Sequence, residues 1–82
     1  AVGSVNLQMA PGHFVVLSQF IDWTKMRPST FFDGEGGPVV HADVTQPYCP
    51  RLSARLHRAG QWLGSALHGA GVYACTEGPR FE

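Results

Sequence analysis

With 82 residues, 44% of them hydrophobic, and six basic side chains balancing six acidic ones, the chain has room for one small domain and carries no net formal charge. A core of that size is marginal without reinforcement, and neutrality removes the basic footprint expected of a nucleic-acid binder. No apolar run approaches the roughly 20 residues of a membrane span; Cys49 and Cys75, lacking a Cys-x-x-Cys pair or a preceding export segment, are expected to be reduced thiols in a cytosolic protein.

The opening stretch "AVGSV" has no initiating Met and reads as the end of a strand running into a turn, so an internal piece of a longer sequence is expected. After the turn signal Pro11-Gly12, the β-branched and aromatic run "HFVVLSQFI", His13 to Ile21, predicts a buried strand. Asp22 to Gly37 carries Pro28 and three glycines without periodicity and reads as a long loop, a place where function often resides. "PVVHADV", Pro38 to Val44, alternates weakly and predicts a short strand with His41 inside it.

Leu52, Leu56, Ala59, Leu63 and Ala66 then follow the spacing of a one-sided helix over Pro50 to His68, widened by Trp62 and Leu67, with Pro50 suited to the first turn. Gly60 and Gly64 would each cost that helix roughly 1 kcal/mol relative to Ala, which points to close packing against a neighbour. Gly69 and Gly71 are the expected terminators. "GVYACTE", Gly71 to Glu77, predicts a last strand. Strand, loop, strand, helix, strand is the order of a piece of an α/β sheet.

Several residue groups invite chemistry. "DGEGG", Asp33 to Gly37, lacks both phosphate-loop patterns and reads as a turn, and Asp33 with Glu35 reads as solvated carboxylates before it reads as an acid–base pair. His13, His41, His57 and His68 show no metal-ligand spacing; His57 and His68 are placed on the helix surface. For His41 a hydrogen-bonded structural role is favoured over a ligand contact. Arg51, Arg55 and Arg58 form a solvated helical stripe. In "TEGPRFE", Thr76 to Glu82, unlike functional types follow a strand end, where α/β folds bind ligands. Phe81 stacking on a planar ring and Glu82 accepting ring N–H groups stand level with a packed turn in which Arg80 pairs with Glu77 or Glu82.

Three stretches, "AVGS", "QFIDWTKMRPSTFFDG" (Gln19 to Gly34) and "GVYACTEGPRFE", resemble the middle of the trimeric purine nucleoside phosphorylases, most closely the branch that cleaves 5'-methylthioadenosine. "HADVTQPYCP", His41 to Pro50, is similar to the segment that leads into a helix there. The resemblance covers essentially the whole chain. It implies an α/β fold with a central mixed sheet flanked by helices, of which residues 1–82 are the middle portion of a single catalytic domain. It further implies a pentosyltransferase that uses inorganic phosphate to release adenine and 5-methylthioribose 1-phosphate, with no metal or organic cofactor. Such a site works through positioning and electrostatic preorganisation around an oxocarbenium-like sugar.

Carried over residue by residue, the resemblance assigns Ala1 to phosphate through its backbone N–H, and Val2 and Gly3 to the lining of base and sugar. His41 would reach the ribose in the neighbouring subunit of a homotrimer. Thr76 would belong to the purine pocket wall and Phe81 would flank base and sugar. Glu82 departs from the animal methylthioadenosine enzymes, which carry Ser there; in the 6-oxopurine enzymes this glutamate holds the purine N–H edge. Glu82 is therefore a candidate specificity residue, and a 6-oxopurine or methylthioinosine phosphorylase is the alternative within the class. A non-catalytic α/β remnant or interaction module is the alternative outside it. The glycine-rich phosphate loop, the Arg-His phosphate ligands and the base-recognising aspartate of the family lie outside these residues, so the 82-residue chain alone is expected to be inactive.

Overall fold

A computed structural model describes residues 1–79. Its ordered frame is a strand β1 (Phe14–Asp22), a helix α1 (Pro50–Leu63) and a strand β2 (Leu67–Cys75). β1 and β2 pair in parallel, which requires a crossover between them, and the long loop and α1 supply it. This is the expected α/β arrangement with one strand fewer.

β1 lies within one residue of its predicted span. The pairing of Phe14 with Leu67 and Val15 with His68 shifts by one residue on β2 before Leu17 meets Gly71, then by one on β1 before Gln19 meets Val72. Ser18, in the second irregularity, donates its hydroxyl to the Gly71 carbonyl at 3.2 Å. A Cβ on Gly71 would stand 2.5 Å from Val15 Cγ1, so the tight crossing needs glycine there. β1 is not the buried strand expected: only Val16 is a buried hydrophobic residue, and Phe14 is 62% exposed. β2 covers one edge and α1 part of one face.

α1 starts at Pro50 as predicted, because proline fits a first turn whose N–H has no helical partner. It ends at Leu63 rather than His68. Gly64 adopts the left-handed conformation (φ 63°, ψ 25°), its N–H bonds the Gln61 carbonyl at 3.2 Å, and Ser65 N–H bonds that of Gly60 at 3.0 Å. That cap closes the helix one turn before Gly69 and Gly71 could. The released chain enters β2 at Leu67, four residues ahead of the expected start. Gly60, by contrast, packs as predicted: a Cβ there would meet Leu67 Cδ2 at 2.5 Å and Leu67 Cβ at 3.2 Å.

The predicted strand over Pro38 to Val44 does not form; the segment is exposed and irregular. Adjacent Val39 and Val40 break the two-residue period, and the segment's tie to β1 is a side chain rather than a ladder, Gln19 Nε2 donating to the Val44 carbonyl at 3.1 Å. Nor is there a strand in "AVGSV": Met9 N–H bonds the Asn6 carbonyl at 2.9 Å, which gives a turn alone. Cys49 and Cys75 are free thiols. No helix among the described residues is long and apolar enough to cross a membrane.

Candidate functional site

Parallel pairing puts the carboxyl ends of β1 and β2 side by side, the edge where open α/β sheets take their ligands. A cleft of about 290 Å³ opens there, lined by Asp22, Thr24, Arg27, Tyr48, Tyr73 and Cys75 among others. The ladder runs one residue beyond β1, with Trp23 N–H on the Cys75 carbonyl at 2.9 Å. The chain then turns: Asp22 Oδ1 accepts the Thr24 N–H at 2.8 Å. Hydrogen bonding from Thr24, side chain first and then backbone, with a smaller contribution from the Arg27 charge, holds the Asp22 carboxyl below the usual aspartate value of 3.8. The loop and the turn after β2 meet through Glu77, whose Oε1 accepts the Met26 N–H at 2.6 Å.

Of the residues singled out from sequence, Thr76 and Glu77 stand beside this cleft, directly after β2. Phe81 and Glu82, with Arg80, lie outside the described residues. Ala1, Val2 and Gly3 are exposed and precede the Asn6–Met9 turn. His41 is exposed in the irregular segment and makes no hydrogen bond among the described residues, so this chain does not provide the structural role favoured for it. Asp33 accepts the Glu35 N–H at 3.0 Å between Gly34 and Gly36, both at positive φ, as the turn reading requires. Asp22, Thr24, Arg27 and Tyr48 escaped the sequence reading; the short-range signal for them was Asp22 two residues before Thr24, an Asx-turn spacing.

The histidines are arranged differently from expectation. His68 lies on β2, half-buried, not on the helix, because α1 has already ended. Its Nε2 stands 2.9 Å from His13 Nδ1, which also receives the Ala10 N–H at 3.2 Å. His13 Nδ1 is thus the acceptor and His68 Nε2–H the donor. This pair sits at the amino ends of the strands, opposite the cleft. Arg51, Arg55 and Arg58 are exposed on α1, as a solvated stripe should be.

The family described as the phosphorylase superfamily matches residues 1–82. A probable 6-oxopurine nucleoside phosphorylase of Thermococcus kodakarensis is 54% identical, over 100% of this chain and 33% of its own length. A probable S-methyl-5'-thioinosine phosphorylase of Methanopyrus kandleri is 47% identical over 100% and 31%. An S-methyl-5'-thioadenosine phosphorylase of Nitrosopumilus maritimus is 43% identical over 100% and 30%. The chain spans about a third of the length of these curated relatives.

Proposed function

Because the chain belongs to the phosphorylase superfamily, we propose that the protein it represents cleaves the N-glycosidic bond of a purine nucleoside with inorganic phosphate. A phosphate oxygen bonds to the anomeric carbon as the carbon–nitrogen bond breaks, and the base leaves with the electron pair and takes up a proton. The observation that carries this reading is the family match over every residue of the chain. The cleft at the carboxyl ends of two parallel strands, with Thr76 beside it, is consistent with it.

On this reading Ala1 supplies a backbone N–H to phosphate, and Val2 and Gly3 let the chain approach sugar and base closely. Phe81 flanks the base. His41, exposed within its own chain, serves the neighbouring subunit of a cytosolic homotrimer. Glu82 gives the base preference: a carboxylate accepts the ring N–H that 6-oxopurines present and adenine lacks. We therefore favour a 6-oxopurine nucleoside, in accord with the name of the Thermococcus relative. The "MRPSTFFDG" loop and the Nitrosopumilus relative's name favour 5'-methylthioadenosine as the second reading.

The full-length protein, assayed in phosphate with inosine, 5'-methylthioinosine and 5'-methylthioadenosine, separates these. Release of hypoxanthine faster than adenine is expected. Glu82→Gln should then lower kcat/KM for inosine about 10- to 150-fold, the equivalent of a 1.5–3 kcal/mol charged hydrogen bond, and leave methylthioadenosine nearly unaffected. Absence of all phosphorolysis would favour a non-catalytic remnant.

A further inference from the structure

We propose that Glu77 is a positioning residue for the nucleoside, fastening the loop after β1 to the turn from which the chain continues to Phe81 and Glu82. The inference rests on the purine nucleoside phosphorolysis proposed above.

The strand ladder runs out to the Trp23 N–H on the Cys75 carbonyl. Glu77, two residues beyond β2, adds a side-chain tie between the segments that follow the two strands. Its Oε1 receives the Met26 N–H at 2.6 Å, a contact spanning 51 residues of sequence. The bond is exposed, so the carboxylate takes the place of water on the Met26 N–H, and a charged acceptor makes the shorter, stronger bond. Arg27 and Pro28, directly after Met26, line the cleft on one side, and Tyr73 and Cys75, ahead of Glu77, line it on the other. This side chain thus joins the segment that leads into Arg27 to the turn that follows Cys75. Gly78 and Pro79 follow it at once, so the anchored residue stands five positions before Glu82 in the sequence. Glu77 itself acts through its neighbours and need not touch substrate. The phosphate contact assigned to Ala1 comes from another part of the chain, so losing the tie should disturb the two substrates unequally.

The test uses the full-length enzyme with Glu77→Ala and Glu77→Gln. Glu77→Ala is expected to raise KM for the nucleoside about tenfold, leave KM for phosphate within about twofold, and speed deuterium exchange of the Met26 amide. Glu77→Gln, which keeps an acceptor oxygen, should restore nucleoside KM to within about threefold of wild type. Unchanged Met26 exchange in Glu77→Ala would overturn the tie itself. A parallel rise of both KM values with a lowered Tm, or no change in either KM, would overturn the positioning role. If the wild-type enzyme releases no base from any purine nucleoside, the functional reading fails and the role toward the nucleoside with it; Met26 exchange then still decides whether the tie exists.

Discussion

Asp22 and Asp43 do the same local work near the two ends of the long connection. Each turns the chain by accepting the N–H of a threonine two residues on, at 2.8 Å for Thr24 and 2.9 Å for Thr45, and Asp43 also takes the Thr45 hydroxyl at 2.6 Å. Asp33 repeats the device in the glycine-rich stretch. Local side-chain bonds of this kind compete with strand ladders, which is one reason residues 23–49 stay irregular. In both Asp22 and Asp43 the threonine bonds hold the carboxyl below 3.8. A pKa depressed by folding means that the unfolded state binds protons first. The stabilising contribution is therefore present above the ordinary value of 3.8 and is lost as pH falls through the lower folded values. Asn keeps the acceptor oxygen but cannot titrate. The full-length Asp22→Asn/Asp43→Asn variant should melt close to wild type near neutral pH and lose less Tm between about pH 5 and pH 3. Thermal melts across that range read the difference, and parallel curves would refute the assignment.

At the scale of elements, the instructive pair is Gly60 and Gly64. In sequence they look alike, two glycines one helical turn apart beneath an apolar stripe. In the fold, one is where a strand presses on the helix and the other is where the helix stops. Gly60→Ala would force a methyl against Leu67, whose Cβ and Cγ at 3.2 and 3.3 Å lie too near the backbone to swing aside. Overpacking of about 1–3 kcal/mol should outweigh most or all of the roughly 1 kcal/mol gained in helix propensity. Gly64→Ala meets no atom within 4 Å but must hold φ at 63°, a loss of about 1–2 kcal/mol. Denaturant unfolding of the full-length variants should show Leu67→Ala, which removes Cγ and Cδ2 but keeps Cβ, relieving part of the clash in Gly60→Ala and doing nothing for Gly64→Ala. The spacing of Leu52, Leu56, Ala59 and Leu63 made the helix and its start legible. The end was not, because the same stripe continues through Ala66 and Leu67, and only the backbone angle at Gly64 shows that Leu67 belongs to β2. The strand predicted at Pro38 to Val44 fails although each strand of the two-stranded sheet keeps an edge with no partner strand among the described residues: adjacent Val39 and Val40 break the alternation, and the Asp43 side chain takes the Thr45 N–H in a local turn.

For the whole molecule, shape carries the argument. A compact chain of 8.9 kDa would expose about 4,800 Å² and have a radius of gyration near 12 Å; this one exposes 7510 Å² with a radius of 16.2 Å. Leu56, Leu63 and Phe14 rim an apolar groove of about 230 Å³ between α1 and β1, and each is more than half exposed. Val16, the one buried hydrophobic side chain among the described residues, cannot offset the conformational entropy of ordering some 80 residues at about 1–2 kcal/mol each. The sites were legible to a comparable extent. A turn after a strand marked Thr76 and Glu77, whereas the cleft needed the parallel register to bring Asp22 and Arg27 into the same lining as Tyr73, a juxtaposition no local spacing encodes. Residues 1–82 made alone should therefore unfold without a cooperative transition, bind a hydrophobic dye such as ANS, and release no base from any purine nucleoside in phosphate. The β1 and β2 amides of the full-length protein should be protected in hydrogen exchange if other parts of it cover the groove and the outer strand faces. A sharp two-state melt of the isolated piece would show that β1, α1 and β2 form a self-sufficient core. Phosphorolysis by the isolated piece would put the whole catalytic apparatus within these 82 residues.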